Sequence, residues 1–196
     1  MIHPQNIRVF DICRHGSHVL GPGRRYVIWT QGCRRRCPGC LTPESRGLNG
    51  GVEIDINALC DDILSRPFID GLTISGGEPF LQAEGLTLLL DKVHMGRPEM
   101  TVIVYTGYQK EELDSVPYSM GLLSYVDVLI DGQYIQSLDD GIGIRGSSNQ
   151  RIIPISHRLD DYLEIMDKGV RHREVVAIGD QTVSLIGIPN PKVSKK

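Results

Sequence analysis

Apolar and polar positions alternate along this chain in blocks that read as short strands and amphipathic helices. Arg25 to Thr30 (RYVIWT) reads as a strand. Asp55 is placed to cap a helix, because Ile56, Leu59, Cys60, Ile63 and Leu64 behind it fall at i, i+3, i+4, i+7 and i+8. Leu72 to Ser75 is a short apolar strand that runs straight into GGEP. Leu86, Leu89, Leu90 and Val93 mark the apolar face of a second helix, and Gly96 is placed to end it. TVIVY (Thr101 to Tyr105) and VDVLI (Val126 to Ile130) are further strands, with a weaker helical stretch between them. Strand and helix alternate, which predicts an α/β fold with parallel strands.

The unusual loops have a common position. The cysteine loop, GGEP, TGY and Asp131-Gly132 each follow a strand directly. In α/β folds, sites assemble from loops at the carboxyl ends of parallel strands, so these loops predict one composite site. The strands are too few for a complete eight-stranded barrel, and a partial (β/α) barrel is the expected architecture. Beyond it, RLDDYLEIMDKG reads as a helix with Leu159, Tyr162, Leu163 and Met166 on one face. VVAIGDQTVSLIGIP alternates around Gly179-Asp180 and reads as a hairpin, either a flap over an open sheet edge or a piece that reshapes a substrate opening. The expected organisation is residues 1–154 as the barrel domain and residues 155–196 as a helix-and-hairpin extension packed on it.

Composition adds constraints. The 196 residues are 40% hydrophobic and 23% charged, as in an ordinary globular protein of one domain. A formal net charge of −3 gives no general attraction to nucleic acid or anionic membrane, and neither is an expected partner. No apolar run approaches the roughly 20 residues of a membrane span. The first residues lack the basic and apolar regions of a secretion signal. Five cysteines, three of them within eight positions, read as metal ligands in a reducing compartment rather than a disulfide framework, and the cytoplasm is the expected location.

Cys33, Cys37 and Cys40 have C-x3-C-x2-C spacing, in a loop kept from regular helix by Pro38 and Gly39. Such a loop can wrap three sulfurs around one compact centre. A 4Fe–4S cubane takes four ligands, so three thiolates would leave one iron open to a small molecule. A zinc site completed by a distant histidine and plain structural thiols are the alternatives. Cys13 and Cys60 read as small buried hydrophobes.

This cysteine spacing together with GGEP resembles the radical S-adenosylmethionine superfamily. GPGRR at Gly21 to Arg25, CPGC, SGGEP, TGY with EEL, LIDG and RGSSNQR at Arg145 to Arg151 follow in the order of the anaerobic ribonucleotide reductase-activating proteins, relatives of pyruvate formate-lyase activating enzyme. The resemblance runs from about Gly21 to Arg151. It implies that Cys33, Cys37 and Cys40 hold the cluster, and that S-adenosylmethionine chelates its open iron and is cleaved to a 5′-deoxyadenosyl radical. Ser75, Gly76, Gly77 and Glu78 would bind the methionyl amine, glycines allowing close backbone approach and the carboxylate accepting from an ammonium. Pro38 and Gly39 in the cluster loop, Thr106, and Asp131 are further candidate cofactor residues. In RGSSNQR, Arg145 is a candidate for the carboxylate of S-adenosylmethionine and Asn149 for its ribose or adenine.

The implied partner is a glycyl-radical enzyme such as anaerobic ribonucleotide reductase. A flavodoxin-like or ferredoxin-like protein is the implied electron donor. Arg34, Arg35 and Arg36 are either a solvated run or an attraction for that donor. Two other functions stay open: a radical enzyme acting on a small molecule, peptide or nucleoside, and an iron–sulfur electron carrier or redox sensor.

Overall fold

The computed structural model describes residues 5–178 and 182–189. Its main sheet has seven strands: β1 (Asn6–Ser17), β2 (Arg25–Thr30), β3 (Val52–Asp55), β4 (Gly71–Gly76), β5 (Thr101–Tyr105), β6 (Val128–Asp131) and β7 (Arg151–Pro154). Their order across the sheet is β3-β1-β2-β4-β5-β6-β7. The pairs β2–β4, β4–β5 and β5–β6 are parallel, so the expected parallel strands form the centre. The pairs β3–β1, β1–β2 and β6–β7 are antiparallel and flank that centre, which the alternation of elements had not predicted. The fold is mixed α/β.

Strand β1 escapes a pattern reading because its periodicity slips. Its register against β2 shifts between Val9 and Asp11 and again between Cys13 and Ser17. Val9 and Ile12 are three apart, an odd spacing, yet both are buried in the same apolar cluster, while Cys13 belongs to the cluster on the other face. A bulge of this kind turns consecutive side chains out of strict alternation.

Helices α1 (Ile56–Leu64), α2 (Ala83–Gly96) and α3 (Ser119–Leu123) follow β3, β4 and β5 in the chain. Asp55 caps α1 as expected, its carboxylate accepting from the N–H of Asn57 at 2.9 Å and of Ala58 at 3.0 Å. Ile56, Leu59, Cys60 and Ile63 of α1, and Leu86, Leu89, Leu90 and Val93 of α2, join Tyr26, Ile28, Leu72, Ile74, Val102, Val104 and Leu129 in the main core. Strand residues of the opposite parity, Val27, Ile103, Val128 and Ile130, point to the other face. Arg25 is fully buried there. It donates to Thr73 Oγ1 at 2.7 Å, Thr101 Oγ1 at 3.0 Å and the Leu72 carbonyl, while burial lowers its pKa to about 10.

The chain after β7 covers part of that second face. The helix expected there is shorter: α4 spans Leu163–Lys168, after a 3-10 turn at Asp160–Tyr162. Leu159 and Met166 are buried with Ile103, Val128 and Ile130, whereas Tyr162 is exposed. The hairpin is present as β8 (Glu174–Ile178) and β9 (Thr182–Ile186), antiparallel; its turn at Gly179-Asp180 lies outside the described residues. Ile186 and Ile188 pack with Cys13, Leu20 and Val27. Ser17 Oγ donates to Glu174 at 2.8 Å, so the hairpin is also tied to β1.

Arg171 fastens this segment. It pairs with Asp139 at 2.7 Å, and the two side chains are 2% and 3% exposed. It also donates to the carbonyls of Arg145, Ile142 and Pro189. No helix among the described residues is long and apolar enough to cross a membrane.

Candidate functional site

One cavity of about 570 Å³ opens at the carboxyl ends of the parallel strands. Its lining includes Cys33, Cys37 and Cys40 after β2, Gly76, Gly77 and Glu78 after β4, Thr106 and Gly107 after β5, and Gly132 after β6. The four strand-end loops therefore meet, as their positions in the sequence predict.

The thiol loop is pinned where it leaves β2. The Gly32 N–H donates to the Ser45 carbonyl at 2.7 Å and the Cys33 N–H to the Arg46 carbonyl at 3.0 Å. The loop then turns, Cys40 N–H donating to the Cys37 carbonyl at 3.2 Å, with Gly39 at φ +72°. All three cysteines are half-buried and free. Burial pushes the Cys33 thiol up, and Glu78, Cys37 and Cys40 add to the rise. A thiolate here sits among other acidic groups, a setting that a cationic centre relieves. Among the described residues no three His, Cys, Asp or Glu side chains are gathered tightly enough to hold a single metal ion. A 4Fe–4S cubane takes each thiolate on a different iron. Pro38 and Gly39 are exposed at the outside of the turn and do not line the cavity.

The GGEP segment lies against the thiol loop. Gly77 N–H donates to the Thr30 carbonyl and Glu78 N–H to the Gly32 carbonyl, both at 2.8 Å. Gly76 has φ +99°, and a Cβ on Gly77 would collide with the Gly32 carbonyl oxygen, so both positions need glycine. Ser75 lines the cavity beside them. Glu78 is only 2% exposed. Its Oε1 accepts from Phe80 N–H at 3.1 Å and Thr106 Oγ1 at 2.8 Å, and its Oε2 from Gly107 N–H at 2.8 Å. Burial raises its pKa, and these three donors oppose the rise. A carboxylate has about four acceptor positions, so one is left over on Oε2.

Besides Pro38 and Gly39, three more expected cofactor residues are not brought to the cavity wall. Arg145 is engaged with Asp140 at 2.8 Å and with the carboxylate and carbonyl of Asp167. Asn149 donates to the Gln133 carbonyl at 2.8 Å and accepts from Ser147 Oγ at 2.8 Å. Asp131 is buried and takes Arg151 through both oxygens, at 3.0 and 2.5 Å, together with the Lys110 N–H at 2.7 Å. RGSSNQR thus spends its polar groups on its own loop, on the Asp131-Gly132 loop and, through Arg145, on Asp140 and on Asp167 of α4. Gly146 and Gln150 of that motif line the cavity instead; Gln150 Nε2 donates to the Gly132 carbonyl at 2.8 Å.

Other lining residues carried no motif. Phe10 to His15 of β1 and Leu185 to Pro189 of the terminal segment form one wall, with Leu20, Trp29 and Tyr105. Tyr134 lines the cavity too, its hydroxyl pushed up to about 12 by burial and by Asp139. The slipped alternation of IRVFDIC was the available signal for β1; for the terminal segment the sequence left open a flap on a sheet edge or a piece of the opening, and Leu185 to Pro189 line the cavity.

A cysteine triplet and a glycine-flanked buried carboxylate in one strand-end cavity define an iron–sulfur cluster domain. The family model described as a 4Fe-4S single cluster domain matches residues 19–153, and the chain belongs to that family. More particularly, it is similar to proteins named anaerobic ribonucleoside-triphosphate reductase-activating protein. That of Haemophilus influenzae is 38% identical over 144 residues, covering 68% of this chain and 90% of that protein. That of Enterobacteria phage T4 is 34% identical over 138 residues, covering 68% and 86%. That of Escherichia coli K12 is 32% identical over 142 residues, covering 67% and 89%.

Proposed function

We propose that this chain is a radical S-adenosylmethionine enzyme that activates a glycyl-radical partner, an anaerobic ribonucleotide reductase. The convergence of three thiols and the Gly-Gly-Glu segment in one cavity carries the reading. Cys33, Cys37 and Cys40 would hold a 4Fe–4S cluster, leaving one iron for the amine and carboxylate of S-adenosylmethionine. When bound, the cluster would supply one electron to the sulfonium, whose C–S bond breaks to give methionine and a 5′-deoxyadenosyl radical.

The protein's part is to bind, orient and exclude water. The remaining acceptor position of Glu78 suits the methionyl ammonium, and Gly76 and Gly77 let the backbone approach it. Thr106 acts through Glu78, orienting its carboxylate. Asp131, Arg145 and Asn149 are proposed here as struts of the strand-end loops rather than ligands. The central parallel strands, with their loops at one end, fit a partial (β/α) barrel. Residues 1–154 would be the catalytic unit and residues 155–196 an addition that completes one wall. A flavodoxin-like or ferredoxin-like donor would reduce the cluster, and Arg34 and Arg36 are exposed for such a partner.

A small-molecule substrate is the second reading, favoured by the terminal segment that narrows one side of the cavity. Anaerobic reconstitution with S-adenosylmethionine and dithionite tests the shared chemistry. The wild type should form 5′-deoxyadenosine, and Cys33→Ala, Cys37→Ala and Cys40→Ala almost none. Wild-type turnover in any of the three would sink the cluster assignment. Adding a purified anaerobic reductase and looking for its glycyl radical by EPR separates the two substrate readings.

A further inference from the structure

The three arginines between Cys33 and Cys37 do not behave as one run. Arg34 and Arg36 are exposed, whereas Arg35 turns inward and lines the cavity. Its guanidinium lies 4.4 Å from the centre of the Tyr108 ring and its Nη2 is 3.1 Å from Glu112 Oε2. The same Glu112 oxygen accepts from the Gln109 N–H at 2.6 Å, so the anion is itself held in place. Gly107 makes room for the arginine: a Cβ there would lie 2.5 Å from Arg35 Cδ.

We propose that Arg35 is a positioning residue, a brace that fixes the thiol loop against the loop after β5. The segment TGYQKEEL, Thr106 to Leu113, is the other half of the brace. Thr106 and Gly107 hold the Glu78 carboxylate, while Tyr108 and Glu112 hold Arg35, two residues beyond Cys33. One short segment therefore sets the separation between the thiols and the carboxylate. On the opposite side the two loops are joined by the Glu78 N–H to the Gly32 carbonyl at 2.8 Å and by Thr42 Oγ1 to the Gly76 carbonyl at 3.4 Å.

The brace needs a guanidinium. A planar group can stack on an aromatic face and pair with a carboxylate at once, which a lysine ammonium does poorly. Charge alone therefore does not explain Arg35. This role rests on the reading that the cavity takes S-adenosylmethionine at a cluster.

The test uses full-length reconstituted protein and measures the Kd for S-adenosylmethionine by equilibrium dialysis. The EPR change of the reduced cluster on titrating the same ligand is followed in parallel. Arg35→Ala and Tyr108→Leu should each raise Kd about tenfold, and the double variant no further, because the two act as a unit. The EPR change should move to higher ligand concentration by the same factor. Arg35→Lys should resemble Arg35→Ala, and Tyr108→Phe should keep the wild-type Kd. Multiplying losses in the double variant, or wild-type binding by Arg35→Lys, would overturn the brace. Should Arg35→Ala not fold, a Tyr108→Leu Kd equal to that of Tyr108→Phe overturns it as well. Absence of binding by the wild type would instead overturn the reading of the cavity.

Discussion

Arg171 gives the sharpest test of how the terminal segment is held. Replacing it with Met keeps most of the side-chain volume but leaves the Asp139 carboxylate, 3% exposed, without its cation. Asp139 would retain two weaker partners, the Tyr134 hydroxyl at 3.3 Å and the Gly141 N–H at 3.1 Å. The carbonyls of Ile142, Arg145 and Pro189 would lose a donor at the same time. Removing one partner of a buried ion pair costs about 3–5 kcal/mol, because the other charge stays desolvated. At about 2–4 °C per kcal/mol for a chain of this size, the melting temperature should fall by roughly 6–20 °C. Urea unfolding of the cluster-free protein, followed by circular dichroism, measures the cost directly. The double variant Arg171→Met/Asp139→Leu should recover most of it, since a buried pair replaced by apolar groups is often near neutral. A cost below about 1 kcal/mol for Arg171→Met, or a double variant that loses the sum of both singles, would refute the argument.

Two further outcomes are expected. Glu78→Gln should gain stability relative to wild type as pH rises above the ordinary carboxylate value of 4.5. Burial raises the Glu78 pKa above its ordinary 4.5, so the wild-type contribution is present below that value and is lost as pH rises through the folded pKa. A stability difference that stays constant over this range in urea titrations would contradict the sign, and the variant should also lose affinity for S-adenosylmethionine. Gly77→Ala should cost about 1–3 kcal/mol, because the new methyl meets the Gly32 carbonyl, a backbone atom that cannot swing aside. Chemical denaturation of that variant should show the loss even without cluster or ligand, and wild-type stability would show that the loops can separate.

Much of this protein is legible in its sequence because much of it is local. Asp55 caps α1, and the apolar faces of α1 and α2 pack into the core as their spacing requires, since helical periodicity is a property of neighbouring residues. The strand-end positions of the thiols and of GGEP likewise sit beside their strands in the chain. Because β2, β4, β5 and β6 run parallel, their carboxyl-end loops then come to one end of the sheet without further instruction.

What the sequence could not decide is how long-range partners divide the polar groups. RGSSNQR and Asp131 have the composition of a ligand loop, yet Arg145 is claimed by Asp140 and Asp167, and Asp131 by Arg151. Arg35 looks like its two neighbours in the chain and is separated from them only by Tyr108 and Glu112, which lie more than seventy residues away. The thiols and the glycine-flanked carboxylate were written in adjacent residues. The cavity wall from β1 and the terminal segment, and the choice between strut and ligand, came from tertiary contacts, because a side chain binds whatever complementary group the fold places nearest to it.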